Sequence, residues 1–66
     1  MRAVVNGEEW ELAAGATVQD VLHRLGAPAT GIAVACGGEV VPRLSWSDTA
    51  VRDGDQIEVL TAVQGG

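Results

Sequence analysis

Residues 17–26 read TVQDVLHRLG and organise the rest of this chain around one helix. Thr17 is a good helix N-cap, and Asp20 three residues later completes a capping box, although that motif prefers Glu or Gln. Four apolar residues follow at i, i+3, i+4 and i+7, which places them on one helical face: Val18, Val21, Leu22 and Leu25. Gly26 suits the C-terminal cap, and Pro28 prevents the helix from continuing.

Short strands are predicted on both sides of this helix. Before it, residues 3–5 and 9–12 are joined by Asn6-Gly7, the strongest short hairpin signal in the chain. After it come three further segments with strand character, residues 32–36, 40–41 and 56–63. A Gly37-Gly38 turn separates the first two, and an Asp53-Gly54-Asp55 turn precedes the last. Residues 44–52 have no clean period, so we expect turns or a 3₁₀ segment around Trp46.

This order of elements predicts an α+β fold. A first hairpin and a last strand bracket a single helix, so one mixed sheet of about five short strands packed on that helix is the economical solution. The sequence shows no repeat and no linker. We therefore expect a single domain over residues 1–66, with residues 62–66 as a flexible tail.

The composition argues against several classes of partner. The formal net charge is −5, from nine acidic residues against four arginines, whereas nucleic acid requires a basic footprint. No apolar run approaches the roughly 18 residues that cross a bilayer. The N-terminus breaks into a turn before a signal-peptide core could form. We expect a cytoplasmic protein that binds neither nucleic acid nor membrane.

Few residues could perform chemistry by themselves. His23 lies on the polar side of the helix, and no Ser, Cys or Asp is tied to it by spacing. Cys36 has Glu39 close in sequence, which favours a half-buried structural thiol over a sulfur-relay cysteine. One Cys and one His cannot build a structural zinc site, and the carboxylates of residues 48–58 lack metal-loop spacing. We expect no catalytic residue, no metal and no cofactor, and hence no enzyme.

The last residues, Val63-Gln64-Gly65-Gly66, suggest a different role. Glycine is costly to order and has no Cβ, so Gly65 and Gly66 predict a thin thread that can enter a narrow channel on another protein. The α-carboxylate of Gly66 is an anion at neutral pH and therefore a poor electrophile. Another protein would have to activate it before it reacts. The alternative is an ordinary disordered terminus.

Taken together, these segments resemble the ubiquitin-like β-grasp sulfur carriers, and most closely the ThiS family of thiamine biosynthesis. The resemblance spans the whole chain. Its motifs are Val5-Asn6-Gly7-Glu8, Thr17-Val18 with Leu22, Ile32-Ala33-Val34-Ala35, Val41-Pro42-Arg43 followed by Trp46, Asp53-Gly54-Asp55-Gln56-Ile57-Glu58-Val59, and Ala62-Val63-Gln64-Gly65-Gly66. Gly37 departs from the family, which often has Asn there, but both residues can adopt a positive φ.

The resemblance implies a mechanism and a set of partners. An ATP-dependent adenylyltransferase, the activating enzyme, would adenylate the Gly66 carboxylate. A persulfide charged by a cysteine desulfurase would then displace AMP and leave a C-terminal thiocarboxylate. Thiazole synthase would receive that sulfur. In this scheme the chain is a protein cosubstrate rather than a catalyst.

The resemblance also implies roles for individual residues. Gly66 would bear the sulfur, and Gly65, Gln64 and Val63 would thread into the partner. The partner interface would include Ala62, Arg43 and Trp46, beside the exposed sheet face and its acidic rim.

Three other interpretations remain open at this point. A carrier for another pathway, like the small subunit of molybdopterin synthase, would also end in Gly-Gly. A ubiquitin-like modifier that forms isopeptide bonds would share both tail and fold. A non-reactive β-grasp interaction domain would leave Gly65-Gly66 incidental.

Overall fold

Asn6 and Gly7 reverse the chain in the first hairpin of a five-stranded sheet. The computed structural model describes residues 1–28 and 30–61. Strand β1 (Arg2–Val5) pairs antiparallel with β2 (Glu8–Glu11). Asn6 has φ 50° and Gly7 has φ 85°, and positive φ at both central positions is what the tightest hairpin turns require. The hairpin predicted from Asn6-Gly7 is confirmed.

The remaining elements complete one mixed sheet on one helix. Their bounds are α1 (Val18–Leu25), β3 (Ile32–Cys36), β4 (Glu39–Val40), a 3₁₀ helix (Arg43–Ser45) and β5 (Gln56–Thr61). The strand order is β2-β1-β5-β3-β4. The β1–β5 pair is parallel, whereas the β3–β4 and β3–β5 pairs are antiparallel. The α+β sheet-on-helix fold predicted from the order of segments is therefore confirmed.

Local signals in the sequence set both ends of α1. The Thr17 hydroxyl accepts a hydrogen bond from the Asp20 amide at 3.2 Å, and the Asp20 carboxylate accepts one from the Thr17 amide at 2.9 Å. Asp therefore completes the capping box in place of Glu. At the other end Gly26 adopts φ 75°, the left-handed conformation that terminates helices.

The core lies between α1 and the inner face of the sheet. Val18, Val21 and Leu22 of the helix are buried against inner-face residues such as Val34 and Ile57. The predicted fourth member of the helical face, Leu25, is the last residue of α1 and is 38% exposed. The core is thus almost entirely aliphatic.

Within the described residues, the observed strand bounds differ from the predicted ones by at most one residue. The second strand covers residues 8–11, the fourth covers residues 39–40, and β5 is described as far as Thr61. The predicted flexible tail, Ala62-Val63-Gln64-Gly65-Gly66, lies outside the described residues, as does Ala29. Among the helices that the structure describes, none is long and apolar enough to cross a membrane.

Candidate functional site

Strand β5 delivers the chain to its last five residues from the centre of the sheet. It lies between β1 and β3, and its final described residue, Thr61, is the register partner of Ile32. The residues predicted to carry and thread the sulfur, Val63, Gln64, Gly65 and Gly66, and the predicted interface residue Ala62 lie outside the described residues. What the structure shows is therefore the surface from which they continue.

The side chains of β5 alternate between the core and the outer face of the sheet. Ile57 and Val59 are buried, whereas Gln56, Glu58 and Leu60 are exposed. Leu60 keeps 66% of its surface exposed, although it is a large apolar residue in a central strand. The outer face, opposite α1, has no covering layer among the described residues.

Half of this outer face is apolar. In the strand register, Leu60 lies opposite Ala33, and Ala35 on the same face lies opposite Val40. Val40 is 75% exposed. We call these residues the apolar patch: Ala33, Ala35, Val40 and Leu60. Exposed apolar surface of this kind is typical of a docking site, although the exposed Glu58 lies opposite Ala35 within it.

The other half of the outer face is charged and internally paired. The Arg2 guanidinium lies 3.4 Å from a Glu9 carboxylate oxygen and 3.2 Å from one of Glu11. The N-terminal ammonium lies 3.3 Å from the second oxygen of Glu11. Hydrogen bonds from that ammonium and then from Arg2 hold the pKa of Glu11 below its usual value. The paired carboxylates of β2 thus lie away from the apolar patch, whereas Glu58 of β5 lies beside it, opposite Ala35.

Arg43, a predicted interface residue, lies at the end of the sheet from which residues 62–66 continue. Strands β4 and β5 both run antiparallel to β3, so they point to the same end. Arg43 follows β4 closely, and its side chain is exposed. It lines a shallow groove of about 150 Å³ together with His23 and Pro28.

Trp46, the other predicted interface residue, is placed in the core. It is 5% exposed, and its indole Nε1–H donates a hydrogen bond to the Val41 carbonyl at 2.9 Å. A buried indole with a satisfied N–H packs well in a core, and it cannot serve as an exposed anchor. Its backbone carbonyl also accepts from the Gln19 amide at 3.1 Å, which ties the loop to α1. Trp46 therefore supports the loop that presents Arg43.

Leu44 is an exposed residue that sequence reasoning missed. It is 92% exposed on the 3₁₀ helix, next to Arg43. The helix is closed by hydrogen bonds from the Ser45 amide to the Pro42 carbonyl at 2.8 Å and from the Trp46 amide to the Arg43 carbonyl at 3.2 Å. The exposure of Leu44 could not be predicted from the sequence, because its segment has no hydrophobic period and the exposure depends on how the loop packs.

Cys36 lies in a separate groove of about 490 Å³ on the β4 side of the molecule. Its thiol donates to a carboxylate oxygen of Asp55 at 3.5 Å. Burial, followed by the contact with Asp55, raises the pKa of Cys36 to about 11. Because the thiolate is the nucleophile, these surroundings favour the structural thiol over the relay cysteine.

The acidic residues of the turns accept hydrogen bonds from the backbone. Asp53 accepts from the Arg2 amide and Asp55 from the Arg52 amide, each at 2.8 Å. Across residues 1–28 and 30–61, no group of three or more potential ligands could hold a metal ion. His23 is exposed on α1, where its ring Nε2 lies 2.9 Å from the side-chain Nε2 of Gln19.

The sequence as a whole matches a known family. A model described as the ThiS family matches residues 2–66. The chain belongs to the ThiS family. The sulfur carrier protein ThiS of Escherichia coli is 36% identical over 66 residues, which cover 100% of both chains. That of Thermus thermophilus is 39% identical over 62 residues, covering 94% of this chain and 95% of the relative.

A solved structure and a longer protein extend the comparison with the ThiS family. The crystal structure of the thiamine biosynthesis protein ThiS from Geobacter metallireducens superposes with a TM-score of 0.84 at 35% identity, covering 100% of both chains. A thiazole synthase of Paramagnetospirillum magneticum is 39% identical over 66 residues, which are 100% of this chain but 20% of that protein. This ThiS-family chain is a sulfur carrier of thiamine biosynthesis, a small carrier protein rather than an enzyme.

Proposed function

We propose that the sulfur is carried as a thiocarboxylate on the C-terminal carbonyl of Gly66. The single observation behind this proposal is that a sulfur carrier of the ThiS family offers one thiol, Cys36, whose pKa is raised to about 11. A protonated thiol is a poor sulfur acceptor at neutral pH. Gly66 is proposed as the acceptor because the match to the ThiS family extends over residues 2–66 and the resemblance to that family implies a sulfur-bearing terminal glycine.

Loading requires activation, because a carboxylate is a poor electrophile. An ATP-dependent adenylyltransferase supplies it: a Gly66 oxygen attacks the α-phosphorus of ATP, pyrophosphate leaves, and an acyl adenylate forms. The terminal sulfur of a persulfide, charged by a cysteine desulfurase, then displaces AMP. A thiol reduces the resulting acyl disulfide and releases the thiocarboxylate. The chain supplies the acceptor carbonyl, and its partners supply the catalysis.

Thiazole synthase is the proposed recipient of the sulfur. The support is the thiazole synthase of Paramagnetospirillum magneticum, a fifth of whose length matches this entire chain. A protein that contains a ThiS-like region beside a synthase region indicates that the two act together. Joining them in one chain would raise the effective concentration of the ThiS-like region near the synthase region.

Docking of either enzyme would use the apolar patch together with Arg43 and Leu44. Leu60 and Ala33 lie toward the end of the sheet where β5 reaches Thr61, and β4 runs toward that end before the loop of Arg43. Ala35 and Val40, the rest of the patch, lie nearer the Gly37-Gly38 turn. Five residues from Ala62 span at most about 17 Å, which brings Gly66 into an enzyme seated on that end. Gly65 keeps the thread narrow, and Ala62, Val63 and Gln64 supply the reach.

Intact-mass measurement tests the proposal. The chain is incubated with its activating enzyme, ATP, a cysteine desulfurase and cysteine, and fragmentation locates any added mass. We expect one oxygen to be replaced by sulfur at Gly66. Adducts of Gly66 on lysines of other proteins would indicate a modifier instead. An unchanged mass under every activation condition would refute the proposal.

A further inference from the structure

Asn6 makes two hydrogen bonds to the strand that leads into the tail. Its backbone amide donates to the Ile57 carbonyl at 2.9 Å. Its side-chain Oδ1 accepts from the Val59 amide at 2.8 Å, although the two residues are 53 positions apart. Both bonds reach β5 from the hairpin turn, after β1 has ended at Val5.

The side-chain bond replaces a rung of the parallel ladder. The Val4 amide bonds to the Asp55 carbonyl and the Asn6 amide to the Ile57 carbonyl, so alternate residues of β5 face β1. By that alternation the next amide to face this side is that of Val59. Asn6 has a φ of 50° and is therefore not in a strand conformation, so its side-chain oxygen, in place of its carbonyl, accepts the hydrogen bond from the Val59 amide.

This bond is also the last one on its side of β5. The β1–β5 register covers only Gln56 and Ile57, whereas the β3–β5 register continues to Thr61. Within residues 1–28 and 30–61, hydrogen bonding on the β1 side of β5 therefore ends at Val59. From there to Thr61 the strand is held from the β3 side.

We infer that Asn6 is a positioning residue for sulfur transfer, which fixes the root of the tail so that the loading enzyme receives it already ordered. The inference rests on the proposed function. Without the Asn6 oxygen, the Val59 amide loses its partner and the end of β5 separates from the turn. Ordering one further residue on docking lowers affinity about tenfold, since it costs on the order of 1–2 kcal/mol.

The test compares Asn6→Gly with Asn6→Asp in steady-state thiocarboxylate formation by the activating enzyme. Glycine keeps the positive φ and removes the acceptor, whereas aspartate keeps the acceptor and tolerates that φ. We expect Asn6→Gly to raise the KM for the carrier about tenfold with kcat changed by less than about twofold. That split is typical of lost binding rather than lost chemistry. Asn6→Asp should restore KM to near the wild-type value.

Thr17→Ala is the matched control, because it removes a helix cap at a cost in stability similar to that of a lost buried hydrogen bond. It lies far from the tail in sequence and should leave KM unchanged while the chain is folded. Amide exchange at Val59 should accelerate in Asn6→Gly and not in Thr17→Ala. If Asn6→Gly does not fold, Asn6→Ser, whose hydroxyl falls short of the Val59 amide, takes its place.

Two results separate failure of this inference from failure of the proposed function. Equal KM values for Asn6→Gly, Thr17→Ala and the wild type would overturn the positioning role while transfer itself remains. A KM that stays high in Asn6→Asp despite wild-type exchange at Val59 would also overturn it. If the wild-type chain acquires no sulfur, the proposed function fails instead.

Discussion

Replacing Leu60 with Ala should weaken docking more than it weakens the fold. Leu60 is the largest side chain on the β5 side of the apolar patch, where it lies opposite Ala33, and it is 66% exposed. Complete burial of a Leu side chain contributes about 1.5–3 kcal/mol, so covering the exposed two-thirds contributes about 1–2 kcal/mol. Alanine keeps part of that contact. We expect a loss of about 1 kcal/mol on docking, which weakens Kd about fivefold.

Isothermal titration of the carrier into thiazole synthase measures this effect, with urea unfolding of each variant in parallel. The part of Leu60 that is already buried should cost the fold less than about 1 kcal/mol when it is removed. Leu25→Ala is the control, because Leu25 is a partly exposed leucine on the helix, on the opposite side of the sheet. It should lower stability and leave Kd unchanged. An unaltered Kd for Leu60→Ala would refute the assignment of the apolar patch.

Three further predictions concern other parts of the molecule. Deleting Gly66 should abolish thiocarboxylate formation in the mass assay and leave the urea midpoint nearly unchanged; clear unfolding would contradict a tail independent of the core. Trp46→Phe should destabilise the fold by about 1–3 kcal/mol in urea unfolding, because the buried Val41 carbonyl loses its donor; an unchanged midpoint would contradict that. The raised pKa of Cys36 predicts slow alkylation by iodoacetamide at neutral pH, increasing toward pH 11, and faster alkylation in Asp55→Asn. Rapid alkylation at neutral pH would contradict the raised pKa of Cys36. Because this pKa is raised in the folded state, the protonated thiol contributes to folding stability below about pH 9, and that contribution is lost as the pH rises toward 11.

The elements of this fold could be predicted because their signals are local. Thr17 and Asp20 are three residues apart, and their reciprocal hydrogen bonds are the ones that the capping box predicts. Gly37 and Gly38 have φ 61° and 86°, as a two-residue turn between β3 and β4 requires. In β5, Ile57 and Val59 alternate with exposed residues and both face the core, as the period of a half-buried strand requires. These features depend on a few neighbouring residues.

The proposed docking surface could be predicted only in part. Arg43, a predicted interface residue, is exposed, and it follows a strand that points to the same end of the sheet as β5. Trp46 belongs to the same motif as Arg43, Val41-Pro42-Arg43 followed by Trp46, and yet it is buried. The exposure of Leu44 and Val40 was not predicted, because the sequence alone does not distinguish an exposed apolar residue from a core residue. Burial depends on which element covers a segment, and periodicity in so short a segment does not show that.

By itself, the sequence determined the order of elements, the caps and turns that bound them, and membership of the ThiS family of sulfur carriers. Tertiary structure alone decided that β5 joins β1 in parallel at the centre of the sheet. That pairing brings Asn6 to Val59 across 53 positions, and the β3–β4 and β3–β5 pairings assemble the apolar patch from three strands. The reason is physical: caps and turns are satisfied by near neighbours, whereas strand order depends on burying α1 and the inner sheet face together.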